Sequence, residues 1–155
     1  MKGRITRLGA IALATAVGFA AIATLVQAAD PITERRDAMK SNGASMKAIS
    51  EILKADGAVA DIAPHAAKLN DVATKLPTLF PAGSDQPQGK DPGHTMAKPE
   101  IWQNQADFAT KVKALQDEVA MFNTAVAGGD VAAIKAEFDK VGEACGGCHK
   151  VYRAK

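Results

Sequence analysis

The sequence predicts an all-α fold: an antiparallel four-helix bundle with one long loop between its second and third helices. Three observations carry that prediction. Four segments repeat their apolar residues with a helical period. No stretch shows the Val/Ile/Thr-rich alternation of a strand. A Gly/Pro/Asp/Ser-rich run over 81–99 divides the four segments into two pairs.

The chain opens on Lys2, Arg4 and Arg7, continues through an uncharged apolar run from Leu8 to Val26, and reaches Val26-Gln27-Ala28, which sets a β-branched and a small residue at a plausible cleavage site. That is the plan of a cleaved secretory signal peptide. A membrane anchor is the competing reading of an apolar run of nearly spanning length. The run is Ala-rich rather than Leu-rich and ends in a cleavage-like site, which favours cleavage. Residues 1–28 are therefore expected to be a signal peptide, and 29–155 one exported, periplasmic domain. Its length of about 127 residues suits one core.

The first helix is expected over Pro31 to Lys54, with Asp30 as N-cap, Pro31 at the first helical position and Asp56-Gly57 as a stop. Ile32, Met39, Met46 and Leu53 recur every seven residues along it, with Ile49 between. The second is expected over Ala58 to Leu79, turning Ile62, Leu69, Val72 and Leu76 inward, with Pro64 and Pro77 blurring its ends. The 81–99 run reads as a crossover loop, as in bundles with one long connection. The third helix begins near Lys98 or Pro99. It carries Ile101, Phe108, Val112, Leu115, Val119, Phe122 and Val126, and stops at Gly128-Gly129. The fourth starts on Asp130 and carries Val131, Ile134, Phe138, Val141, Cys145, Cys148 and Tyr152. Spacings of three and four in alternation predict near-parallel packing with a left-handed twist. Met46 and Met121 read as core.

Charge excludes some functions. Losing Lys2, Arg4 and Arg7 from the 19 Lys and Arg leaves 16, against 17 Asp and Glu. No basic tract remains to bind nucleic acid or an anionic membrane surface, and so balanced a chain implies little long-range steering.

The two cysteines lie in Cys145-Gly146-Gly147-Cys148-His149, near the end of the chain. A disulfide, a thiol redox centre, a zinc half-site, an iron–sulfur site or covalent haem attachment could use such a pair. A disulfide between residues three apart restrains little of the unfolded chain. A thioredoxin-like centre needs a βαβ setting and a cysteine at a helix N-terminus; here the motif closes the last helix of an all-α chain. Zinc needs three or four ligands, and only His65 and His94 could join. Iron–sulfur sites need more cysteines than this chain has. Haem attachment needs two thiols for the two vinyl groups and an imidazole for the iron, which C-x-x-C-H supplies in that order. At about 100° per residue, Cys145, Cys148, His149 and Tyr152 share an arc of about 100° on the core-facing side of the last helix. One covalent haem c, with His149 as proximal axial ligand, is the expected cofactor.

At this point the chain resembles a known family. The C-terminal CGGCHKVYR, the four-helix pattern and the N-terminal ERRDAMKSNGASMKAI resemble the class II c-type cytochromes. LPTLFPAGS at the end of the second helix and KPEIW at the start of the third also match. That family comprises the cytochromes c' and their low-spin relatives, the cytochromes c-556; the stretch MKSNG is most like the low-spin branch. The resemblance covers essentially the whole chain after residue 28. It implies that Cys145 and Cys148 form the thioethers and His149 is the fifth ligand. Arg153 matches an arginine beside the haem; its other reading is a cation favoured at a helix C-terminus. Arg35 matches an arginine near the haem propionates, and its place on the inward stripe is odd for an unpaired cation; a solvated or salt-bridged arginine is the alternative. Arg36, next in the chain, is a further candidate contact.

Met39 decides between two functions. In the resemblance it lies over the iron on the distal side. It is either the sixth ligand, a lid that blocks the open face without a bond, or a methionine filling core volume. Met96, His65 and His94 are poor alternatives, and Trp102 and Tyr152 read as packing residues. With His149/Met39 ligation the protein is a single-electron carrier between redox proteins met transiently. With an open iron it is a high-spin cytochrome c' that binds nitric oxide or carbon monoxide. High-spin members are often dimers through their first two helices, which leaves a homodimer open. No Ser/His/Asp set, paired carboxylate, phosphate loop or distal histidine is evident, so no enzyme is predicted.

Overall fold

The computed structural model describes residues 30–155; the expected signal peptide lies outside the described residues. Five helices follow in order: α1 (Pro31–Lys54), α2 (Val59–Lys75), α3 (Glu100–Gln103), α4 (Gln105–Gly128) and α5 (Val131–Tyr152). α1, α2, α4 and α5 form the antiparallel bundle, and α3 is one turn leading into α4. Among the described residues there is no strand, only the isolated bridges Gln88–Thr95 and Ala97–Arg153.

The helix ends follow from local chemistry. Asp30 accepts the Thr33 N–H at 2.9 Å and starts α1. Beyond the end of α1, the left-handed residue is Asp56 (φ 48°) rather than the glycine after it. Gly129 stops α4 at φ 76°, a conformation that suits a residue with no Cβ. Asp130 then caps α5 by accepting the Ala132 and Ala133 N–H groups. This tight turn sets α4 and α5 antiparallel.

Three details differ from the sequence reading. Pro64 lies inside α2, not at its edge; so near the helix start, its missing N–H costs one bond. α2 ends at Lys75, and a 3-10 turn covers Leu76–Thr78, because Pro77 cannot donate to the ladder and the chain closes with the tighter Leu79 N–H to Leu76 carbonyl bond. The third segment breaks at Asn104 (φ −125°, ψ 52°). The break lets α3 hold Trp102 under the loop, its indole N–H donating to the Pro81 carbonyl at 2.9 Å, while α4 turns Phe108 and its successors into the core.

Ile49, Ile62, Phe122, Ile134 and Val141 are fully buried, each worth about 1.5–3 kcal/mol relative to exposure. Met121, expected in the core, is 50% exposed: one residue before Phe122, it is rotated about 100° off the buried stripe. α1 packs on α2, α2 on α4 and α4 on α5, whereas α1 and α5 make no comparable seam. The functional cavity opens there.

Candidate cofactor site

A cavity of ≈ 370 Å³ lies between α1 and α5. All seven residues singled out from the sequence line it: Arg35, Arg36 and Met39 from α1, and Cys145, Cys148, His149 and Arg153 from α5 and its cap. Leu76, Phe80, Ile101, Phe108 and Leu115 close it from the other elements. Met39 and Met46 are only half-buried because the inward stripe of α1 faces this space instead of another helix.

The arginines of α1 both reach the loop that follows α2. Arg35 is buried and neither solvated nor salt-bridged. Its terminal N–H groups donate to the Leu79 carbonyl (3.0 Å), Ser84 Oγ (3.0 Å), the Ser84 carbonyl (2.7 Å) and Thr95 Oγ1 (2.7 Å). Its guanidinium also sits 4.9 Å from the Phe80 ring centroid and 5.7 Å from that of Trp102. A cation removed from water needs this many partners, and burial pushes its pKa down. Its terminal N–H groups thus tie α1 to the loop after α2. Arg36 does the same nearer the surface, donating to the Lys90, Asp91 and His94 carbonyls. Arg153 is exposed, and its guanidinium reaches the Met96 Sδ at 4.0 Å.

On α5 the cysteines are free and half-buried. Burial pushes both thiols up; at Cys148 the charge of Lys111 opposes the shift, while Cys145 and Asp107 add to it. Burial that raises both thiols argues against a thiol redox centre, which needs a lowered one. His149 is exposed as a residue, yet its ring lines the cavity. That partial burial, with the charge of Arg153 second, holds its pKa below the ordinary histidine value. Tyr152 packs edge-on to Phe108 at 5.5 Å. Its hydroxyl also donates to Asp107 Oδ2 at 2.6 Å, which with burial pushes its pKa up to about 12.

These residues fit a haem. The cavity walls are mainly apolar, with two neutral thiols, an imidazole and a thioether on them. Asn42 Oδ1, also on the wall, is buried with no hydrogen-bond partner, and a Cβ on Gly43 would meet nothing within 4 Å. Both are consistent with a space shaped for a group. Cys145 and Cys148 would hold it, with His149 and Met39 the candidates for its iron.

The cytochrome C' family model matches residues 30–153. The chain belongs to the cytochrome c' family. It is 34% identical to a cytochrome c' of Rhodospirillum rubrum over 135 residues, covering 84% of this chain and 88% of that one. It is 32% identical to a cytochrome c-556 of Rhodopseudomonas palustris over 157 residues, 96% of this chain and 98% of that one. The crystal structure of cytochrome c' from Thermochromatium tepidum superposes with a TM-score of 0.75 at 28% identity, covering 81% of this chain and 95% of that one. As a family member the chain is a haem protein. Two features of this cytochrome c' relative are not visible in the sequence: Met96, a loop residue that lines the cavity, and Asp107 behind the wall, whose tie to Tyr152 spans 45 positions. No periodic signal links such pairs.

Proposed function

We propose that the protein is a periplasmic single-electron carrier with one haem c, attached through Cys145 and Cys148 and ligated by His149 and Met39. The observation that supports this most is the placing of Met39 on α1 and His149 on α5, on opposite helices of one cavity. Bound there, haem supplies a one-electron iron couple. The Met39 thioether favours the reduced state and raises the potential. Leu76, Phe80, Phe108 and Leu115 keep water from the site, which further tunes the couple. Arg35 and Arg36 fix the loop that closes it. The partners are other redox proteins, met through small transient interfaces. Export follows from the leader over residues 1–28.

Met39→Ala tests the ligand. The parent should not bind carbon monoxide, and the variant should bind it when reduced and show a lower potential. If spectrum and potential stay as in the parent, Met39 is not on the iron. A second reading has Met39 as a lid over a five-coordinate iron that binds nitric oxide or carbon monoxide. The likeness to a cytochrome c', as high as that to a cytochrome c-556, supports it. A homodimer through α1 and α2 belongs with that reading.

A further inference from the structure

The near-zero net charge hides a strong polarity along the bundle. At the cavity end of the α4–α5 pair, residues 98–113 and 145–155 hold Lys98, Lys111, Lys113, Lys150, Arg153 and Lys155 against Glu100 and Asp107. At the opposite end, residues 114–144 hold six carboxylates against Lys135 and Lys140. The α1–α2 turn lies at that far end and adds Glu51, Asp56 and Asp61 against Lys54. Such a dipole orients an approaching charged partner even where the net charge is near zero.

Apart from Lys113, which pairs with Asp117, the cations lie on or beside the segment that carries the cysteines. Lys98 Nζ donates to the Val151 carbonyl at 3.0 Å. Lys111 lies about one turn of α4 after Asp107, the residue that the Tyr152 hydroxyl of α5 meets. Arg153 lines the cavity, and Lys150 and Lys155 are exposed beside it. Of the nearby carboxylates, Asp107 is engaged by the Tyr152 hydroxyl. Between the cations the surface is low. Gly146 and Gly147 are exposed, and a Cβ on either would meet nothing within 4 Å. Val151, 41% exposed, is the one large apolar residue there.

We propose that the outer face of the segment from Gly146 to Lys155, with Lys98 and Lys111, is the docking surface for electron exchange. Its partner is a redox protein with carboxylates around its own cofactor edge. The inference rests on the electron-carrier reading. One electron crosses between the two cofactors, and no bond or proton changes hands. The two glycines let the partner approach the thioether edge closely. The acidic far end turns the wrong face away, so encounters arrive oriented. One exposed valine offers too little apolar surface to enter a bilayer, so the occupant is a protein rather than an anionic membrane.

The test follows electron exchange of the holoprotein by stopped flow, across ionic strength. The reagents are anionic hexacyanoferrate, cationic cobalt tris-phenanthroline and an acidic blue-copper protein. Rates with the two anionic reagents should fall as salt rises, and the rate with the cationic complex should increase. Lys111→Glu with Lys150→Glu should slow the acidic protein roughly tenfold at low salt and weaken its calorimetric binding to the oxidised holoprotein. Lys47→Glu, on α1, should change neither. Rates indifferent to salt, a Lys47 variant as slow as the double variant, or vesicles of anionic lipid binding more tightly than the acidic protein would overturn the proposal. A holoprotein that exchanges electrons with no reagent would remove the electron-carrier reading itself, and this inference with it.

Discussion

Arg35→Ala is expected to cost about 3–5 kcal/mol of unfolding free energy. Four hydrogen bonds from a charged donor, each contributing about 1.5–3 kcal/mol, set a gross ceiling well above that. Two of the acceptors keep other partners. Ser84 Oγ still donates to the Pro81 carbonyl, and Thr95 Oγ1 still accepts the Ala97 N–H. The Leu79 and Ser84 carbonyls lose the arginine, and bonds within one network do not add. In a domain of this size the loss corresponds to a drop in Tm of roughly 10–20 °C. Urea unfolding followed by circular dichroism measures it. Hydrogen exchange locates it: the Gly89 and Thr95 amides, bonded to the Thr95 and Pro87 carbonyls, should exchange faster as the loop loosens. Arg35→Lys keeps the charge but not the fork, and should fall between. A loss below about 1 kcal/mol with unchanged exchange and a shifted reduction potential would refute the clamp, and would return the guanidinium to a propionate.

Three further outcomes are expected. The Asp107 carboxylate raises the Tyr152 pKa to about 12, so their bond contributes fully below the ordinary tyrosine value of about 10 and is lost as pH rises through the folded value. Stability should therefore fall faster with pH above about 10 in the parent than in Tyr152→Phe, and parallel curves would dismiss the bond. Gly129→Ala forces a Cβ into the left-handed region (φ 76°) and should cost about 1–2 kcal/mol in thermal unfolding, with an unchanged Tm as the contrary result. Cys145→Ala with Cys148→Ala should leave haem extractable by acidified organic solvent, whereas haem that stays with the denatured chain would overturn covalent attachment through these thiols.

The bundle was legible because burial on a helix repeats. Ile32, Ile49, Ile62, Phe122 and Ile134 announce their faces by spacing, and Asp30, Asp130 and Gly129 announce the ends. The attachment motif was legible because it is local. The fate of Arg35 was not, since its acceptors lie 44 to 60 positions away in a loop with no period. The spacing marked it as an inward cation and left the choice of partner open. The same holds for Asp107 and Tyr152. The break at Asn104 depends on the reach of Trp102 to Pro81, a tertiary contact that local propensity does not encode. The charge polarity was present in the residues but needed the helix directions to become visible.

The central claim is that His149 and Met39 share one iron, and the most direct measurement is the optical spectrum of the purified holoprotein, ferric and ferrous, with and without carbon monoxide. Sharp, split ferrous bands, a weak far-red sulfur-to-iron band in the ferric form and indifference to carbon monoxide are the result expected. Broad high-spin bands that sharpen on addition of carbon monoxide would contradict it and put the gas-binding reading first.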